Sequence, residues 1–223
     1  MILTIDGPAA SGKSTAARLL ARRLGIAYLD TGAMYRAVTL AGLRRGVKLS
    51  DEAALSRLAA ELRIELEPQP DGVRVLLDGE DVTAAIRENE ISRASRYAAA
   101  NEGVRASLVA AQQVIGRRWG DLVTEGRDQG TVVFPQADLK IYLDASEEVR
   151  ARRRQKELAS GGKNLPLEQV LEEIRRRDES DRSRAVGPLR VPDGAVVVDT
   201  TDMTIDQMVE RLYDLVRRRR GGH

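Results

Sequence analysis

The sequence predicts an α/β fold: a parallel sheet covered by helices on both faces, enlarged by a small antiparallel β insert. Three observations lead there. Strand-like and helix-like segments alternate over most of the 223 residues, as they do in parallel sheets joined by crossover helices. The chain opens with a strand, a glycine-containing loop and a helix. Between about residues 63 and 83 the pattern changes to two short extended runs separated by turn residues.

The elements follow in order. Ile2-Leu3-Thr4-Ile5 is a buried-strand run, and residues 13–24 form a helix that Gly25 ends, with Leu19, Leu20 and Leu24 on one face. Residues 27–29 make a second strand, residues 33–45 a helix stopped by Gly46, and residues 51–61 another helix. Ile64-Glu65-Leu66-Glu67 alternates, Pro70-Asp71-Gly72 turns, residues 73–77 extend again and Asp78-Gly79 turns once more. Helices at 90–100 and 102–118 precede strands at 122–125 and 139–143, with Pro135 in the connection between them. Helices at 147–159 and 167 to about 184 flank the hinge-like Gly161-Gly162-Lys163-Asn164, and a strand at 195–198 and a helix at 205–218 complete the order. The length suits one domain with a decoration. Its parts are a core of residues 1–62, 101–149 and 185–223, an insert of about 63–100 and a helical segment of about 150–184.

Composition limits the chemistry. Hydrophobic residues at 42% and charged residues at 31% are near globular norms, while aromatics at 3% leave the core to Leu, Ile, Val and Ala. With no cysteine and a single histidine, His223, there is no thiolate chemistry, histidine base or His-rich metal site. Catalysis falls to Lys, Arg, Asp, Glu, Ser or Thr. The 36 Lys and Arg nearly balance 34 Asp and Glu, and a net charge of +2 does not by itself suggest a nucleic-acid binder. Arg217 to Arg220 reads as a solvated helix end suited to the macrodipole, with RNA contact as the alternative. No leader-like start and no run of about 18 apolar residues occurs, so a cytoplasmic protein with no membrane partner is expected.

The firmest motif is Gly7-Pro8-Ala9-Ala10-Ser11-Gly12-Lys13-Ser14, which matches G-x-x-x-x-G-K-[ST] between a strand and a helix. Its glycines let backbone N–H groups and the helix N-terminus surround phosphate oxygens. Lys13 reaches the β and γ phosphates, and Ser14 can ligate Mg²⁺. The expected ATP-binding set runs from Gly7 through Ser14 to Thr15. A glycine turn with an exposed lysine is the bland alternative. A guanine-reading N-K-x-D element is missing, which disfavours a GTPase.

Arginines supply the rest. Along residues 167–184 the apolar stripe Leu167, Val170, Leu171, Ile174 continues at three-and-four spacing into Arg177, Asp181 and Arg184. This is either an internal ion-pair network or a cleft gripping an anion. Arg150 and Arg154 share a face of the preceding helix beside Arg153, as in a mobile lid bringing guanidinium groups to a transferring phosphoryl group, or else as a solvated charged face. Arg127 and Asp128 sit in a glycine-flanked loop after the strand at 122–125, at the end where open α/β sheets bind ligands. Asp30 and Thr31 begin a helix that carries Arg36; either could be only a cap.

Several segments together resemble the bacterial cytidylate kinase family over nearly the whole chain. They are I-D-G-P-A-A-S-G-K-S-T from Ile5, D-T-G-A-M-Y-R from Asp30, L-D-G-E-D-V-T from Leu77, G-R-D-Q-G-T-V-V-F-P from Gly126, L-D-A-S from Leu143 and R-R-D-E-S-D-R-S-R-A-V-G-P-L from Arg176. The resemblance implies a P-loop nucleoside monophosphate kinase fold with a CMP-binding β insert and a mobile helical lid. It also implies a monomer that requires Mg²⁺ and transfers phosphate from ATP to CMP or dCMP, with no nucleic-acid partner. It puts Arg36 and Arg127 at the CMP phosphate, Arg105 and Asp128 at the cytosine edge, Arg177, Asp181 and Arg184 at sugar and phosphate, and Thr31 in the same CMP set. Lys13, Arg127, Arg150 and Arg154 then stabilise the transition state. The family usually has D-G-R-D where this chain has Glu125-Gly126-Arg127-Asp128. A cytosine-reading serine is expected near Arg96, where the nearest serine is Ser95. The alternatives are a P-loop kinase for UMP, AMP or shikimate, and a nucleotide-sensing or nucleic-acid-binding module.

Overall fold

In the computed structural model, described over residues 1–221, five parallel strands form the central sheet in the order β2-β6-β1-β7-β8. These are β1 (Ile2–Asp6), β2 (Ala27–Asp30), β6 (Leu122–Gly126), β7 (Leu139–Asp144) and β8 (Val196–Asp199). Leu3, Ile5, Leu122, Val123, Ile141 and Leu143 on these strands are sealed from water. Near-continuous apolar runs suit strands covered on both faces, and each such side chain contributes about 1.5–3 kcal/mol by burial.

Helices cover the two faces. On one side α1 (Lys13–Leu24) and α8 (Ile205–Gly221) pack Leu20, Ala17, Leu212 and Val216 against β1 and β7. On the other, α2 (Thr31–Arg44), α3 (Glu52–Glu61) and α5 (Glu102–Trp119) enclose Met34, Val38, Leu55, Val104 and Leu108. Local chemistry sets their starts: Asp30, Asp51 and Asn101 each accept the backbone N–H three residues on, at 2.9 Å.

The insert is a separate antiparallel sheet, β3 (Ile64–Gln69), β4 (Gly72–Leu77) and β5 (Glu80–Asp81). Its Leu66, Val73, Val75 and Leu77 join the α2 side of the core, and α4 (Asn89–Ala100) follows it. The connection after β6 contains a π-helical turn over Gln129–Val133. Finally α6 (Glu147–Ser160) and α7 (Leu167–Ser183) pack on each other around Ala151, Leu158, Val170 and Ile174. Most boundaries lie within a residue or two of the expected ones. No helix among the described residues is long and apolar enough to cross a membrane. Gly222 and His223, and so the only histidine, lie outside the described residues.

One register differs. The buried stripe of α7 runs Val170, Ile174, Asp178, not through Arg177: Asp178 is 1% exposed, while Arg177 is open to solvent. Successive steps of four keep one line on the helix, so the buried charge of α7 is a carboxylate. Asp181 and Arg184 are only half-buried, at the cleft.

Candidate active site

Parallel pairing brings three loops to one edge of the sheet. Asp6 pairs in register with Gly126, and Asp30 with Glu125, so the segments after β1, β2 and β6 all leave from the strands' carboxyl ends.

The loop after β1 lies against β7. A side chain at Gly7, with φ +149°, would come 2.0 Å from the Leu143 carbonyl oxygen, so only glycine allows this approach. Gly12, at φ +91°, turns the chain into α1. Lys13 is buried; its Nζ donates to the Pro8 carbonyl at 2.5 Å and to Ser11 Oγ at 3.3 Å, inside the curl. Burial, with the charge of Arg127 second, pushes the Lys13 ammonium down to about 7. Ser14 and Thr15 stand exposed at the start of α1, and Ser14 Oγ donates to Glu125 Oε1 at 2.8 Å. Beneath the loop, burial raises Asp6 to about 6, although its oxygens accept the N–H groups of Gln129 and Gly130 at 2.8 Å each.

The facing half is built from four segments. Arg105 of α5 and Asp128 form a buried ion pair, and Arg105 Nη1 donates to the Tyr35 hydroxyl at 3.3 Å. Burial outweighs the Arg105 charge and holds the Asp128 carboxyl above its usual range. Gly187, at φ +59°, packs its backbone against this pair, and its carbonyl accepts from Arg184 Nη2 at 2.9 Å. Arg127 Nε donates to Asp181 Oδ2 at 2.7 Å, and Arg184 approaches the other Asp181 oxygen at 3.8 Å. Burial works against the Asp181 charge, but Arg127 and Arg177 outweigh it and lower its carboxyl. Arg36 reaches Asp30 Oδ2 at 3.0 Å. The Nε atoms of Arg36, Arg105 and Arg184 are buried with no partner. Buried donors without acceptors are costly, and a ligand with acceptor oxygens or nitrogens would satisfy them.

Lys13, Ser14 and Glu125 thus meet at one place, and Arg105, Asp128, Arg127, Asp181 and Arg184 at another. Arg177 opens into the same cleft, where partial desolvation of its guanidinium and, second, the Arg127 charge lower its pKa. Arg154 is part-exposed and, among the described residues, pairs with Glu157 at 2.8 Å. Thr31 Oγ1 donates to the Glu125 carbonyl at 2.8 Å, and Asp30 caps α2; both tie the loops together. Ser95 turns its hydroxyl to the Ser92 carbonyl of its own helix, at 2.9 Å.

Arg150 is 2% exposed, and its Nε and Nη1 are engaged by Asp178 at 2.6 Å, the Ala145 carbonyl at 2.9 Å and the Ala9 carbonyl at 3.2 Å, so in this structure it faces the loop rather than standing free over the cleft. Two further residues gain a place that spacing alone did not give them: Asp178, and Glu125, whose longer side chain reaches Ser14. The signals available were the i+4 step from Ile174 and the position of Glu125 at a strand end.

Among the described residues no cluster of three or more His, Asp or Glu forms a metal cage. Ser14 and Glu125 offer a hydroxyl and a carboxylate side by side, hard oxygen donors that suit Mg²⁺, which takes one or two protein oxygens together with phosphates and water.

A family model described as cytidylate kinase matches residues 3–218. The chain is 48% identical over 219 residues to a cytidylate kinase of Mycobacterium avium (strain 104), covering 98% of this chain and 96% of that one. To a cytidylate kinase of Rhodococcus opacus (strain B4) it is 47% identical over 221 residues, covering 99% and 96%. In fold it is similar to a shikimate kinase from Bacteroides thetaiotaomicron, with a TM-score of 0.52 at 12% identity over 97% of this chain and 98% of that one.

Proposed function

The chain belongs to the cytidylate kinase family, whose members transfer a phosphoryl group from ATP to CMP, and from that membership we propose how its own residues do so. Loop 7–14, with Thr15 beside it, holds the ATP phosphates, and Lys13 lies along the β and γ groups. The facing half takes CMP or dCMP. Arg36, Arg127 and Arg177 meet its phosphate, and Arg184 and Asp181 the sugar and phosphate. Arg105 donates to cytosine O2 and N3, while Asp128 accepts from the amino group that uracil lacks. The observation that carries this reading is the buried Arg105–Asp128 pair together with the buried, unpartnered Nε atoms on Arg36, Arg105 and Arg184.

The CMP phosphate is already ionised at neutral pH, so its oxygen attacks the γ-phosphorus in line. The bond to the ADP oxygen breaks, and no general base is required. Lys13, Arg127 and Arg154 stabilise the charge that develops. Ser14, with Glu125 acting directly or through water, would hold Mg²⁺, which neutralises β and γ oxygens. The α6–α7 pair serves as the lid and the β insert as the acceptor-side wall. Nucleotide substrates suit a cytoplasmic setting, and a monomer is part of the same reading.

ADP release measured with CMP, dCMP, UMP, AMP and shikimate tests the assignment. CMP is expected to be the best acceptor with dCMP close behind; equal turnover of AMP or shikimate would refute it.

A further inference from the structure

Asp178 on α7 and Arg150 on α6 are 1% and 2% exposed and lie 2.6 Å apart. Buried ion pairs seldom stabilise a fold more than apolar residues of the same volume would. What this pair imposes is geometry, and its target is the phosphate loop. Asp178 Oδ1 accepts the Ala9 N–H at 3.3 Å, and Arg150 Nη1 donates to the Ala9 carbonyl at 3.2 Å. Both polar groups of one loop residue are therefore held by the helix pair.

The next residue explains why holding matters. Ala10 stands at φ +58°, a left-handed conformation that residues with a Cβ resist and keep only when their surroundings over-determine it. Beyond it, the Ser11 carbonyl accepts at 3.5 Å from Arg153 Nη1, which also donates to Thr200 Oγ1 at 3.0 Å. Arg153 Nη2 also donates to the Thr200 carbonyl at 2.5 Å. The strained residue is clamped on both flanks, from α6 and α7 on one side and from α6, braced by Thr200, on the other.

We propose that Asp178 is a positioning residue for the phosphoryl donor. Through Arg150 and the Ala9 amide it holds loop 7–14 in the curl that receives the ATP phosphates. It touches no reacting atom. The role rests on the reading of loop 7–14 as the ATP grip, which Lys13→Ala tests separately.

Two variants decide it. Asp178→Asn keeps the shape and leaves Arg150 buried without its counter-charge. Arg150→Met combined with Asp178→Leu removes both charges and fills the space. For each, KM for ATP, KM for CMP and the thermal unfolding midpoint are measured. KM for ATP is expected to rise about tenfold in both, with KM for CMP within about twofold of wild type. The double variant should fold and unfold only modestly below the wild-type temperature, because an apolar pair repacks the space while the Ala9 and Ala145 backbone groups lose their partners. A wild-type KM for ATP in the double variant, or an equal rise in both KM values, overturns the proposal. If Asp178→Asn does not fold, the double variant decides by the same split. An unchanged ATP response in Lys13→Ala would instead overturn the loop reading, whatever Asp178 does.

Discussion

The two halves of the cleft are finished to different degrees. On the donor side the key side chains already have partners: Lys13 donates into its own loop, Ser14 to Glu125, and Arg150 to Asp178, while the backbone N–H groups at the start of α1 are left to a ligand. On the acceptor side three arginines keep a buried Nε without a partner. The donor loop holds its shape through side-chain contacts, whereas on the acceptor side three buried guanidinium groups find their remaining partners only with something bound there. A site built this way separates grip from discrimination. On the proposed reading, general phosphate binding is prepaid in backbone geometry, and base choice is left to side chains that wait.

The largest expected effect tests the donor half. Lys13→Ala should lower kcat by about 100-fold or more while leaving the fold intact, since a charge aimed at the transferring phosphoryl group is lost; circular dichroism and ADP release check both statements. Normal turnover would erase the contrast. On the acceptor side, Asp128→Asn should lower kcat/KM for CMP by about 10–100-fold and narrow the preference over UMP, because it alters the group set against the cytosine amino group. A loss shared equally by CMP and UMP would make Asp128 structural. The smallest effect is in pH. With Lys13 near 7 in the empty loop, the ammonium is partly neutral above pH 7, and phosphate favours its cation. ATP binding should therefore take up a proton at pH 8 and none at pH 6, and ATP affinity should weaken as pH rises through 7. Calorimetry in two buffers of different ionisation heat measures it, and equal heats at pH 8 would place the Lys13 pKa elsewhere.

The same contrast governs what could be read in the chain itself. The donor loop is one contiguous stretch whose residue types state their task, and the alternation of strands and helices around it gave the sheet, the antiparallel insert and the paired helices within a residue or two. The acceptor half draws on α2, α5, the β6 end and α7, and resemblance, not periodicity, linked them. Spacing alone misjudged α7. Steps of three and of four both stay near one face, so the stripe allowed Arg177 where the structure buries Asp178. The deciding partner, Arg150, lies on another helix, and no local pattern encodes a contact across 28 residues. Glu125 was similarly silent, because its reach to Ser14 depends on β6 lying beside β1.

Asp6 sits one residue before the donor loop, and its two oxygens hold the amides one and two residues past Asp128. Both halves of the cleft are thereby fastened to a single carboxylate in the rigid sheet. The span between them is a fixed gauge set by the sheet and independent of the α6–α7 pair, a bench of constant width on which two ligands held by these halves would be laid.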